Sequence, residues 1–92
     1  IKSFASRDTA RVADRQHVER WAPDLQRTGL RKLRIIAAAT RLDDLRVPPG
    51  NRLEQLRGDR SGQHSIRVNQ QWRICFRWED GAAHDVEIVD YH

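Results

Sequence analysis

The residues best suited to chemistry lie in the second half of the chain. Arg67 stands between Ile66 and Val68, Arg73 between Trp72 and Ile74, and Arg77 between Phe76 and Trp78. In an extended chain, alternate side chains point to opposite faces. If the apolar set turns to a core, the three guanidinium groups share the other face. A row of arginines there has no structural need, and its planar forks can grip phosphate through paired hydrogen bonds. His92 ends the sequence just past the last apolar alternation. An imidazole of ordinary pKa, about 6.5, can give or take a proton at neutral pH. Tyr91 is the sole tyrosine and can stack on a base or lend its hydroxyl. Together these groups suit proton transfer at a phosphate that arginines hold.

The whole composition tilts the same way. The 92 residues include 17 Lys or Arg and 13 Asp or Glu, a formal charge of +4. Fifteen of the basic residues are arginine, and only Lys2 and Lys32 are lysine. Codon bias can produce such an excess, so by itself it only hints at an anionic partner. The charge is segregated: residues 1–34 carry +5, residues 52–77 carry +4 and residues 78–92 carry −5. A basic body with embedded aromatics has the electrostatic pattern of nucleic-acid binding, or that of a solvated surface.

Several classes drop out. One cysteine, Cys75, excludes an intrachain disulfide framework and a multi-thiolate zinc site. Between Ile74 and Phe76 it is expected to be a buried, inert thiol. His17, His64, His84 and His92 are scattered without neighbouring ligands, so neither metal nor cofactor is expected. His17 and His84 read as solvated, and His64 as structural or solvent-facing. No apolar run approaches the ~18 residues of a membrane helix. Ile1-Lys2-Ser3-Phe4 is not followed by the apolar core of a signal peptide. A cytoplasmic location and no membrane partner are expected.

The elements that must hold these groups follow from pattern and punctuation. Residues 1–5 suit a short edge strand. Asp8 or Thr9 can cap a helix running to about Arg20, and Pro23-Asp24 starts a second one through about Thr40. Gly29 weakens the second helix and allows a break there. Val47-Pro48-Pro49-Gly50-Asn51 marks the change to extended structure. Strands are expected near 52–57, around His64 to Val68, from Trp72 to Trp78, and around Asp85 to Val89. Asp80-Gly81 is a hairpin signal between the last two. Trp21, Trp72 and Trp78 are expected in the core or at a partner interface. The class is α+β: two N-terminal helices packed on one face of an antiparallel sheet of about four strands, in one domain over residues 1–92.

Four blocks occur in order: Asn51-Arg52-Leu53-Glu54-Gln55-Leu56-Arg57-Gly58-Asp59-Arg60, Gly62-Gln63-His64-Ser65-Ile66-Arg67-Val68-Asn69, Gln71-Trp72-Arg73-Ile74-Cys75-Phe76 and Val89-Asp90-Tyr91-His92. With the opening Ile1-Lys2-Ser3-Phe4, they resemble the HigB branch of the RelE/ParE toxin superfamily. The resemblance is close over about residues 45–92 and loose in the helical half. It implies the RelE/ParE-like fold and the toxin of a type II toxin–antitoxin pair. It also implies metal-free cleavage of mRNA in the A site of the 70S ribosome. The partner implied is a HigA-like helix-turn-helix antitoxin, in a toxin–antitoxin hetero-oligomer.

Residue by residue, the resemblance places Arg73 and the terminal Asp90-Tyr91-His92 at functional positions. Arg57 falls where many members carry lysine. Glu54 departs from members that have histidine there, while other branches use a glutamate base with a histidine acid. Two assignments stand. In one, Glu54 is the general base and His92 the general acid, with Arg57 and Arg73 stabilising the phosphorane. In the other, His92 is the base and Glu54 pairs with Arg52 or Arg57. Arg67 and Arg77 would contact the message, and Arg7, Arg11, Arg15 and Arg20 would engage ribosomal RNA. A non-nuclease alternative is a ParE-like inhibitor of DNA gyrase, because one fold serves both activities.

Overall fold

The structure is a computed structural model that describes residues 1–91. Helix α1 spans Arg7–Ala13 and helix α2 Pro23–Ala38. Short 3₁₀ turns follow at Leu42–Arg46 and Pro49–Asn51. Strands β1 (Glu54–Gln55), β2 (His64–Arg67), β3 (Trp72–Glu79) and β4 (Ala82–Asp90) form one antiparallel sheet in that order. The expected class holds: two helices cover one face of a four-stranded meander.

Helix α1 differs from expectation at both ends. Ser6 caps it, its hydroxyl accepting the Thr9 amide at 3.0 Å. Thr9 is fully buried, and its hydroxyl accepts the Ile88 amide of β4 at 2.9 Å. Its oxygen is therefore committed to the sheet and not to a cap. The helix stops at Ala13 and not near Arg20, because Arg15 takes a left-handed backbone with φ 60°. Gln26 secures the connection to α2 by bonding the Val18 amide and the Val18 and Trp21 carbonyls at 2.7–2.8 Å.

Gly29 does not break α2. A methyl group there would stand 3.2 Å from Ile88 Cδ1, so the glycine lets helix and sheet approach closely. The apolar residues of the sheet, Ile66, Ile74, Phe76, Val86 and Ile88, pack with Val12, Leu25, Leu33 and Ile36 of the helices in one core. Trp21 is buried edge-on to Trp72, with ring centroids 5.9 Å apart. Asp80 and Gly81 (φ 52° and 76°) make the β3–β4 hairpin turn. Residues 1–5 reach the outer edge of β4 through a single bridge, Phe4 with Val86, plus flanking amide bonds. Opposite that edge, β4 carries one more residue than β3. The register passes from Cys75↔Glu87 to Arg77↔His84, and Asp85 turns left-handed with φ 52°. This is a β-bulge.

The register fixes what lies on the face away from the helices. One cross-strand row holds Arg67, Arg73 and Val89. The next holds Glu54, Ser65, Cys75 and Glu87.

A candidate active-site cleft on the sheet face opposite the helices

Arg73 lies on the expected face, but it is not open to solvent: only 9% of it is exposed. Its Nε donates to the Ser65 hydroxyl at 2.7 Å. Its Nη2 donates to the Arg52 carbonyl at 2.7 Å and, more weakly, to the Ser65 carbonyl at 3.4 Å. These acceptors are all neutral, so the positive charge is held in place without being cancelled. Glu54 Oε2 stands 3.9 Å from Arg73 Nη2. That is an ion-pair distance and too long for a hydrogen bond. The Glu54 side chain is about half exposed, so its oxygens remain within reach of a ligand.

Around this pair is a cleft of about 290 Å³ lined by Arg52, Glu54, Arg67, Asn69, Gln70, Arg73 and Tyr91. Three guanidinium groups, one carboxylate, one phenol and two amides thus converge on a single hollow. Such a set can bind an anionic, base-bearing chain and take up a proton beside it. A larger hollow of about 660 Å³ runs along α2 between Arg27, Arg31 and Arg34. Arginine is the only ionisable residue type in its lining, so it offers charge without acid–base chemistry.

The lining is positioned locally. Arg52 follows the Pro49–Asn51 turn in a left-handed conformation, φ 45°, which aims its carbonyl at Arg73. Arg67 donates from Nε to the Asn69 carbonyl at 3.0 Å. The Asn69 side chain accepts the Gln71 and Trp72 amides, both at 2.8 Å, and closes the β2–β3 turn. Gln71 grips the end of β4: its carbonyl accepts the Tyr91 amide, and its side chain donates to Asp90, both at 2.9 Å.

The expected site residues separate under this geometry. Glu54, Arg67, Arg73 and Tyr91 share the cleft. Asp90 pairs with Trp72 in register, which puts it on the helix-side face beside Gln71. Arg57 is exposed before the Gly58–Arg60 turn and does not line the cleft. His92 lies outside the described residues. Arg77 shares the face but not the cleft, since its Nε donates to Asp85 at 2.9 Å and its Nη1 to Glu79 at 2.5 Å. Those bonds hold its pKa above the ordinary arginine value and draw Asp85 below the usual carboxylate range.

The N-terminal arginines sit across the sheet from the cleft. Arg7 and Arg15 are exposed, Arg11 lies 3.7 Å from Asp8, and Arg20 pairs with Asp8 at 2.6 Å while its guanidinium stacks over Trp21. His64 is register partner to Phe76, with ring centroids 6.2 Å apart. Its burial favours the neutral imidazole. Burial likewise raises the pKa of the Cys75 thiol. Among the described residues, no group of three His, Cys, Asp or Glu could hold a metal ion. No described helix is long and apolar enough to cross a membrane.

Sequence reasoning missed Arg52, Ser65, Asn69 and Gln70 as parts of the site. The signals were present: Arg52 directly follows the strongest turn in the chain, and Ser65 shares the strand alternation of Arg67.

The chain shares its fold with a solved structure. It superposes along its whole length on 97% of a chain in the YoeB–YefM complex from Staphylococcus aureus, with TM-score 0.63. At 14% identity this likeness speaks for the fold alone. Residues 2–92 match the model of the RelE-like toxin of type II toxin–antitoxin system HigB, and the chain belongs to that family. Toxin HigB-1 of Vibrio cholerae serotype O1 is 57% identical over 53 residues, covering 58% of this chain and 56% of the relative. Endoribonuclease HigB of Proteus vulgaris is 38% identical over 61 residues, covering 66% of this chain and 65% of the relative. The chain thus spans a little over half the length of the first of these relatives.

Proposed function

We propose that this protein is a toxin that cleaves mRNA in the ribosomal A site by metal-free acid–base chemistry. The observation that carries the reading is Arg73: a nearly buried guanidinium fixed by neutral acceptors, 3.9 Å from the Glu54 carboxylate at the wall of a basic cleft. In the reaction, Glu54 takes the proton of a 2′-OH. The 2′-oxygen forms a bond to the adjacent phosphorus, the bond to the 5′-oxygen breaks, and His92 protonates that leaving oxygen. The products are a 2′,3′-cyclic phosphate and a 5′-hydroxyl. Arg73 stabilises the charge that develops on the phosphorane oxygens. Arg52 and Arg67 hold neighbouring phosphates, and Tyr91 stacks on a base. Arg57 is available to the message outside the cleft. Asp90 positions the end of β4, from which Tyr91 and His92 continue. Arg77 has a structural part in its two ion pairs.

The exposed arginines of the α1 region, on the opposite face, are suited to ribosomal RNA. The ribosome supplies the substrate geometry. In the cytoplasm the toxin is held in a hetero-oligomer with a HigA-like helix-turn-helix antitoxin. The name of the Proteus vulgaris relative and the family match support this reading. In vitro translation followed by primer extension on the message tests it. Discrete codon-located cuts that vanish in His92→Ala are expected. Intact message together with inhibited DNA supercoiling would replace the reading with gyrase inhibition.

A further inference from the structure

We propose that Lys32 and Asn51 are positioning residues for the cleft, acting through the Arg52 carbonyl on Arg73. The inference rests on the endoribonuclease reading for its effect on rate, but not for the contact it describes. Lys32 projects from α2 into the protein and is only 7% exposed. Its Nζ donates to Asn51 Oδ1 at 2.5 Å, and no carboxylate pairs with it among the described residues. Burial, with Arg31 next to it, lowers its pKa. A leucine would fill the site without the cost of desolvating a charge, so the ammonium has a directional task.

Asn51 converts that bond into loop geometry. It is fully buried. Its Nδ2 donates to the Leu45 and Val47 carbonyls, each at 3.2 Å, and its amide donates to the Pro48 carbonyl at 2.9 Å. Its Oδ1 is thus taken by α2 and its Nδ2 by the loop that delivers Arg52, so both polar atoms of the side chain are used. The left-handed backbone of Arg52, unusual for a residue with a Cβ, directs its carbonyl to Arg73 Nη2 at 2.7 Å. The contact path runs from α2 to Asn51, then along one peptide to Arg52, and so to the guanidinium under the cleft. The sheet supplies the other restraint, Ser65. If the loop shifts, Arg73 keeps Ser65 and loses its aim.

Two variants test this. Lys32→Met removes the ammonium at similar length. Asn51→Asp keeps an acceptor for Lys32 and removes the donor to the loop carbonyls. In each, the Arg73 Nη2–H and Nε–H signals are followed by hydrogen exchange in low-temperature ¹⁵N NMR, folding by circular dichroism, and message cleavage at saturating toxin. Both folded variants should exchange the Arg73 Nη2–H, which donates to the Arg52 carbonyl, at least tenfold faster, while the Nε–H on Ser65 stays protected. Both should cleave about tenfold more slowly, with an unchanged half-saturating concentration, since a small misplacement lowers rate more than binding. A general loss of stability would not confine its effect to Arg73 and the saturated rate. Wild-type exchange, or a wild-type rate, in the folded variants overturns the inference. So does failure of both to fold, which would make the pair a foundation of the fold. If the wild type cuts no message, the endoribonuclease reading fails and the exchange arm alone decides the contact.

Discussion

The two ends of the sheet face opposite the helices hold their arginines by opposite means. At the β3–β4 hairpin end, Arg77 is paired with Asp85 and Glu79. Those charges are spent on the protein itself. At the other end, Arg73 is held by a hydroxyl and backbone carbonyls, and Arg67 by the Asn69 carbonyl. Orientation is fixed there while the positive charge persists. A site that must stabilise negative charge in a transition state needs that second condition, because preorganised charge acts only if no internal anion has neutralised it. Position on a face therefore does not define function; the partner of each guanidinium does. The carboxylate near Arg73, Glu54, is held more loosely than those on Arg77: it stands 3.9 Å away without a hydrogen bond and is half exposed to a ligand.

The largest expected break comes at Arg73. Arg73→Ala should lower message cleavage by roughly 10²–10³-fold, the usual cost of losing one preorganised transition-state donor. Arg73→Lys should rescue little, because one ammonium cannot span the Ser65 hydroxyl and the Arg52 carbonyl while facing the cleft. Primer extension in a translation extract measures both, and full rescue by lysine would mean that charge without geometry suffices. Next in size is Glu54→Gln, expected to cost about 10²-fold or more as the loss of a general base. Near-normal cleavage in that variant would remove Glu54 from the mechanism and make His92 the base. Arg67→Ala removes a phosphate contact with no proton role. Binding to single-stranded RNA should weaken by about tenfold, and its logarithmic salt slope should become shallower by about 0.7. An unchanged slope would show that Arg67 does not meet phosphate.

What was legible in the sequence were the features set by local period. The alternation around Arg73 placed it, Arg67 and Arg77 on one face, and Asp80-Gly81 gave the hairpin. Features set by distant partners were not legible. Thr9 looks like a cap until Ile88, 79 residues away, takes its hydroxyl. The burial of Arg73 depends on the Arg52 carbonyl, 21 residues upstream, brought in by a loop whose shape rests on Asn51. Arg67 and Arg77 are equivalent by alternation, but Arg67 stands in the row of Arg73, while Arg77 meets Glu79 on its own strand and Asp85 at the bulge. One extra residue in β4 accompanies the turn of Asp85 to left-handed φ, and its carboxylate meets Arg77.

The smallest effects should arise at that bulge, and they test the other half of the contrast. Arg77→Ala should leave message cleavage within about twofold of wild type, because distant surface changes are nearly independent of a site. A loss near that of Arg73→Ala would return Arg77 to the site and erase the distinction between the two ends. Asp85→Asn keeps the size of the side chain and its neighbour Ser3 while discarding the charge that Arg77 binds. The Arg77 hydrogen bond holds the Asp85 carboxyl below its ordinary value, so the ionised form is favoured in the folded state. Its contribution to stability is fully present above the unfolded-state pKa, about 3.9, and is lost as pH falls through the lower folded value. The wild type should therefore melt slightly above Asp85→Asn at pH 7, by a margin that salt reduces because both partners are partly exposed. That margin should shrink as the pH drops below about 4. Thermal unfolding of the two proteins across pH 3–7 measures it. A difference that persists at low pH would show that Asp85 supports the bulge through its backbone geometry and not through its charge.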